Sequence, residues 1–138
     1  LDRGNPANGT GILDTVKIHI KSNSTTINKV GTFSGSGTDW TSRDYAQLGT
    51  LNACTHTITG LSIDVVTGDI LGHYLLAGSV YYYSSGKTGT LYILPMVDKF
   101  DGNTYTYNTT GQAGMGLDVY ATGETVSAGA IPQMLVCM

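Results

Sequence analysis

The feature that most constrains this chain is its rhythm: roughly ten short strand-like segments, each closed by a glycine-, serine- or asparagine-rich turn, with no amphipathic helical stretch between them. Ile12, Val16, Ile18 and Ile20 share one parity, while Lys17, His19 and Lys21 take the other, and Asp14 is the one polar residue on the apolar side. Lys29–Phe33 reads as a short strand, and Ser34–Thr38 as loop. Tyr45–Leu51 and Thr55–Thr59 carry weaker strand signals. Leu61, Ile63 and Val65 alternate with Ser62 and Asp64. Ile70–Leu76 is nearly all apolar and reads as a central buried strand. Ser79–Tyr83, Thr88–Leu94, Thr104–Tyr107, Leu117–Thr122 and Ile131–Val136 complete the set.

Composition agrees. Thr (20), Gly (19), Ser (10) and Asn (7) supply 56 of the 138 residues, whereas charged residues are only 12%. Glu occurs once, as Glu124. The straight-chain residues that favour helix are scarce, and β-branched and aromatic residues fit a pleated surface. The expected fold is all-β: a two-sheet antiparallel β-sandwich, jelly-roll-like or immunoglobulin-like, forming one domain over 1–138. Segments 1–11 and 130–138 are candidate inter-subunit arms.

A net charge of −3 argues against a nucleic-acid backbone reader, which needs a basic patch. No apolar run approaches the length of a membrane span. A chain that opens on Leu1 is expected to be processed or a fragment, and a removed leader would leave no trace. The charge-poor, Thr-rich surface points to an extracellular or virion-surface setting.

Leu-Asp-Arg-Gly at the start, Asn5 to Gly11, Val30-Gly31-Thr32-Phe33, Arg43-Asp44, Gly60-Leu61-Ser62 and the run Val65 to Gly72 together form a pattern. In it the chain resembles a loose group of uncharacterised β-sandwich proteins from phage and environmental sequences, over Leu1 to Tyr120. The resemblance implies a sandwich exposed outside the cell or on a particle. It transfers no catalytic residue.

Chemistry-bearing motifs are sparse. His19, His56 and His73 show no metal-binding spacing, and a satisfied or surface role accounts for each. Gly35-Ser36-Gly37 lacks the strand-to-helix setting of a nucleophile. Asp69 and Asp101 sit in turns, where Asp caps backbone N–H groups; Asp14, Asp64 and Asp118 lie in strands. No enzyme activity is expected. No cofactor is expected either, with calcium at Asp98, Asp101 and Asn103 as the one metal candidate.

Aromatics carry the remaining signal. Tyr81 and Tyr83 face one side of a strand and Tyr82 the other. They suit the core, a subunit interface or a glycan surface. Trp40, Tyr105 and Tyr107 are candidates for stacking on sugar rings. The apolar end carries Ile131, Met134, Leu135 and Val136, which pack in the chain's own core or pair with another subunit. Cys54 and Cys137 form one disulfide or two thiols. Asn8, Asn23 and Asn108 head glycosylation sequons. The leading expectation is a non-catalytic structural subunit whose partners are copies of itself, assembled into an extracellular filament or phage-like particle through Tyr81, Tyr82, Tyr83 and the apolar end. The alternative is a carbohydrate-binding module.

Overall fold

The computed structural model describes residues 1, 3–23, 28–76, 79–80, 82–83, 90–91, 98–107, 112–113, 116–117 and 119–126. Every regular element among them is a β-strand. The strands are β1 (Gly11–Ser22), β2 (Asn28–Ser36), β3 (Asp39–Gln47), β4 (Thr55–Ile58), β5 (Ile63–Val65), β6 (Ile70–Leu75), β7 (Ser79–Val80), β8 (Tyr82–Tyr83), β9 (Thr90–Leu91), β10 (Thr104–Thr106), β11 (Gln112–Ala113), β12 (Gly116–Leu117) and β13 (Val119–Thr125). All pairing is antiparallel. No helix among the described residues is long and apolar enough to cross a membrane.

The fold is a two-sheet antiparallel β-sandwich. One sheet is organised on β1, which pairs with β13, β4, β5 and β7; the other runs β10-β3-β2-β6. Two short ladders, β11-β9 and β12-β8, accompany them. Between the sheets lies an aliphatic core of Val16, Ile18, Ile20, Val30, Leu51 and Ile63. The first three come from β1 and Val30 from β2, so burying this cluster is what holds the two layers face to face.

β1 departs from simple alternation. Its register against β13 shifts between Leu13 and Thr15, leaving Asp14 as the extra residue of a bulge. Beyond the bulge, Val16, Ile18 and Ile20 are fully or almost fully buried. Before it, Leu13 pairs with Ile63, and Ile12 pairs with the exposed Asp64. Leu13 packs on the inter-sheet core. Placing Ile12 on the same face as Val16 is therefore corrected: one inserted residue reverses the parity. The same bulge explains Asp14, whose backbone oxygen accepts the Leu61 N–H at 3.0 Å.

Two further strand expectations change. Ser34–Ser36 belongs to β2, paired with Asp39–Thr41, and the turn contracts to Gly37 and Thr38. Gly37 adopts φ 58°, a left-handed conformation that glycine reaches without a Cβ penalty. Residues 34–36 carry no apolar pattern because what holds them is backbone pairing. The apolar β6 is an outer strand of its sheet among the described residues, not a central one. Its Ile70 is buried, while Leu71, Tyr74 and Leu75 are half-buried.

The face of β10-β3-β2-β6 turned away from β1 carries a second core of Leu1, Phe33, Trp40, Ile70, Phe100 and Tyr107. Phe33 meets Phe100 at 5.0 Å between ring centroids and Tyr107 edge-on at 6.4 Å. Gly31 and Gly72 face each other across β2 and β6 and make the room. A Cβ on Gly72 would run into the Phe33 ring and lie 2.6 Å from Leu1 Cδ2. A Cβ on Gly31 would meet the Asp44 backbone oxygen and lie 2.7 Å from the Phe100 ring.

Candidate functional site

β13 lies at the outside of its sheet, paired with β1 alone among the described residues. Its small residues decide which way it faces. Ala121 stands opposite the buried Val16, and Val119 opposite Ile18, so both lean on the inter-sheet core. Gly123 sits against Leu13, and a Cβ there would run into the backbone of Ile12 and Leu13. Strand β13 therefore presses close on β1 and turns Tyr120, Thr122 and Glu124 outward. Tyr120 is 58% exposed, and Val126, just past the strand, is 64% exposed. From Thr122 to Val126 every residue is exposed. Glu124 is the only charged residue on this stretch.

Residues 120–125 form one wall of a cleft of about 510 Å³. Residues 5–13 form a second wall, and Thr32, Asp69, Ile70 and Leu71 contribute the floor. Residues 7–10 are pinned there by backbone bonds: Ala7 N–H donates to the Asp69 oxygen at 2.7 Å, and Val126 N–H to the Thr10 oxygen at 2.9 Å. Asp69 itself is buried. Its carboxylate accepts from Arg43 Nε at 2.5 Å, Arg43 Nη2 at 3.1 Å and the Val66 N–H at 2.9 Å. This pair fastens the β5–β6 turn to β3, and the carboxylate raises the Arg43 guanidinium further above its ordinary range.

The aromatic candidates separate. Trp40 and Tyr107 are core residues at 4% and 3% exposure, so neither presents a ring to a sugar, and their assignment to glycan stacking is corrected. The cause is β3 and the approach to it: Trp40 shares a face with Phe33, and its Nε1–H donates to the Gly37 oxygen at 3.2 Å. Burial pushes the Tyr107 hydroxyl up to about 12. Tyr105 is half-exposed, but Lys99 Nζ stands 3.5 Å over its ring. Tyr82 and Tyr83 form β8, paired with Leu117 and Gly116. Tyr81, Ile131, Met134, Leu135 and Val136 lie outside the described residues.

The acidic loop is used internally. Asp98 accepts from Lys29 Nζ at 2.5 Å and from the Phe100 N–H at 3.0 Å. Asp101 accepts from the Tyr105 hydroxyl at 2.5 Å and from the Asn103 N–H at 3.0 Å. These bonds hold the Asp101 carboxyl below the ordinary carboxylate range, the Tyr105 contact contributing most. The calcium candidates Asp98, Asp101 and Asn103 thus share one loop whose oxygens cap its own backbone and side chains. Among the described residues no group of three or more His, Cys, Asp and Glu is placed to hold a metal.

His19, His56 and His73 stand on β1, β4 and β6 and do not converge. His73 is half-buried with Nε2 2.7 Å from Asn28 Oδ1, and desolvation lowers its pKa to about 4. Asn8 and Asn23 are exposed, and Asn23 Oδ1 accepts the Ala53 N–H at 2.8 Å. Asn108, Asp118 and Cys137 lie outside the described residues; Cys54 is an exposed free thiol.

Sequence reasoning did not single out Tyr120 and Val126. The signal was there: Val119 and Ala121 alternate with Tyr120 and Thr122, and the larger side chain falls on the outward parity. Compared with known proteins, no family model matches the chain, and neither a curated protein nor a solved structure does.

Proposed function

We propose that the chain is a non-catalytic structural subunit that assembles with copies of itself, by strand pairing along the edge of β13 that no other described strand pairs, into an extracellular filament or phage-like particle. The observation that carries this reading is the edge itself. β13 is seven residues long, and its exposed stretch bears one charge, Glu124, with no lysine or proline. Monomeric β proteins usually blunt such an edge with charge, proline or a covering loop. An unblunted edge is a template for another strand, whose backbone supplies affinity while side chains supply register. Tyr120 and Val126 add apolar surface beside it. If the incoming strand belongs to a different face of a second copy, the contact is heterologous and propagates. The low overall charge favours association, since little repulsion opposes it.

Negative-stain microscopy of the purified chain across a concentration series tests the reading. Ordered polymers or particles are expected, and the double variant Tyr120→Lys, Val126→Lys is expected to abolish them while keeping the wild-type circular dichroism. Single small particles at every concentration, from wild-type chain, would overturn it.

A further inference from the structure

Asn8 is followed by Gly9, and no other asparagine of the chain precedes a glycine. The pair lies on the wall of the cleft, with Asn8 exposed, between two fastened residues. On one side, Ala7 N–H donates to the Asp69 oxygen at 2.7 Å, and the Ala7 oxygen accepts the Gly68 N–H at 2.9 Å. On the other, the Thr10 oxygen accepts the Val126 N–H at 2.9 Å, and Thr10 Oγ1 accepts the Thr67 N–H at 3.1 Å. Between them, neither the Asn8 carboxamide nor the Gly9 N–H has a hydrogen-bond partner among the described residues.

An asparagine carboxamide is an electrophile that the next residue's backbone nitrogen can reach by closing a five-membered ring. Three things hold that reaction back: a following side chain that crowds the approach, a backbone N–H committed to a hydrogen bond, and a carboxamide held by a partner. Asn8–Gly9 lacks all three. The related pair Asp101–Gly102 is protected: Gly102 N–H donates to Ser42 Oγ at 2.9 Å, and Tyr105 and Asn103 hold the Asp101 carboxylate. Asn5 precedes Pro6, which has no N–H to attack with. Asn23 Oδ1 accepts the Ala53 N–H at 2.8 Å, which also commits the nitrogen that follows Asn52. Asn103 Nδ2 donates to Asp101 Oδ2 at 3.1 Å, and Asn28 is buried within β2.

We propose that Asn8–Gly9 is a self-modification site, at which the folded chain converts Asn8 through a succinimide into aspartyl and isoaspartyl forms with water as the only co-reactant. The Gly9 nitrogen bonds to Asn8 Cγ as the Cγ–Nδ2 bond breaks, and its proton passes through solvent to the departing ammonia. Water then adds to one of the two ring carbonyls. Addition at Cγ breaks the new bond and restores the backbone, with a carboxylate in place of the carboxamide. Addition at the main-chain carbonyl breaks its bond to the Gly9 nitrogen, and the backbone then runs through Cβ and Cγ, one methylene longer. Nothing is oxidised or reduced. Either product adds a carboxylate to the cleft that Glu124 already lines. The longer backbone no longer fits between the fastenings at Ala7 and Thr10, so the isoaspartyl form loosens the Thr10–Val126 bond beside β13.

The test holds the full chain at neutral pH and body temperature and maps its peptides by mass over time. The peptide carrying Asn8 is expected to gain about 1 Da and to accept methyl groups from an isoaspartyl methyltransferase. Its rate is expected to lie within about threefold of that in denaturant, with Asn23, Asn52 and Asn103 at least about tenfold slower. The rate should rise with pH, because the attacking amide must lose its proton. Asn8→Gln, which would need a six-membered ring, is expected to stop the conversion with unchanged circular dichroism. Amide hydrogen exchange at Val126 is expected to speed up in the isoaspartyl chain. An Asn8 that stays intact in the folded chain while it converts in denaturant would overturn the proposal, and so would equal conversion at the other asparagines. Unchanged exchange at Val126 in the isoaspartyl chain would overturn the loosening.

Discussion

The two cores of this molecule are built on different rules. The core between the sheets is aliphatic, and most of it comes from strands whose side chains alternate in and out: Val16, Ile18, Ile20, Val30 and Ile63. The core on the far face of β10-β3-β2-β6 is mostly aromatic, and Leu1, Phe100 and Tyr107 enter it from outside the strands. The first is held by period-two patterning. The second is held by absence, since the facing glycines Gly31 and Gly72 leave the space that Phe33, Phe100 and Leu1 occupy. A core made of pattern tolerates a lost methylene at a graded cost. A core seated in a glycine notch has no room to give.

The largest difference between the cores is expected at their centres. Phe33→Ala removes the ring that touches Phe100, Tyr107 and the Gly72 backbone, and should cost about 4 kcal/mol, where Ile18→Val should cost about 1 kcal/mol. Gly31→Ala tests the notch directly. Its Cβ would meet the Asp44 backbone oxygen, which belongs to the β2–β3 ladder and cannot swing aside, as well as Phe100 and Tyr45. A cost of about 3 kcal/mol is expected, although alanine usually favours ordered structure over glycine. Denaturant titration measures all three. A neutral Gly31→Ala would mean that the aromatic face is loosely packed and that the two cores do not differ in kind.

Beside the inter-sheet core, opposite Val30, His73 gives the fold a pH dependence. His73 is half-buried against Asn28, and desolvation lowers its pKa from 6.5 to about 4. A depressed histidine pKa means that the unfolded chain binds the proton more readily. Stability is therefore full above pH 6.5 and falls as pH drops toward 4, by roughly 3 kcal/mol in all. His73→Gln keeps a donor for the Asn28 carbonyl oxygen and should flatten that slope. The difference between the two unfolding-midpoint curves isolates it from the carboxylates. Parallel curves would show that His73 is solvated in the native state.

The sequence made the first core legible and the second mostly not. Alternation at Val16–Ile20 and at Ile63–Val65 reports burial on one face, and the structure buries those residues there. Trp40, Tyr105 and Tyr107 sit among Thr, Asp and Asn, a context that reads as exposed, yet two of the three are buried. Their burial depends on Leu1 and Phe100, which reach the site from distant parts of the chain, and no local pattern encodes that meeting. The glycines read as turns when most of the decisive ones are strand residues chosen for lacking a Cβ. Asp69 is similar: its turn position was visible in Gly68-Asp69, but its two bonds to Arg43 across the sheet were not. On β13 the inward and outward parities were readable, whereas its place at the outside of the sheet among the described residues is a matter of topology.

The finest test of that contrast lies at the bulge in β1, where patterning itself is broken. Simple alternation assigns Ile12 to the core. The extra residue Asp14 assigns it instead to Leu13, which packs on the inter-sheet cluster opposite Ile63. Leu13→Ala should therefore cost about 2 kcal/mol and Ile12→Ala under about 1 kcal/mol, despite similar side-chain volumes. Deleting Asp14 would restore continuous alternation but force either Leu13 or Val16 out of the core, and the chain should lose cooperative unfolding rather than gain regularity. Equal costs at positions 12 and 13 would place both side chains at the rim, and the aliphatic core would then begin only at Val16.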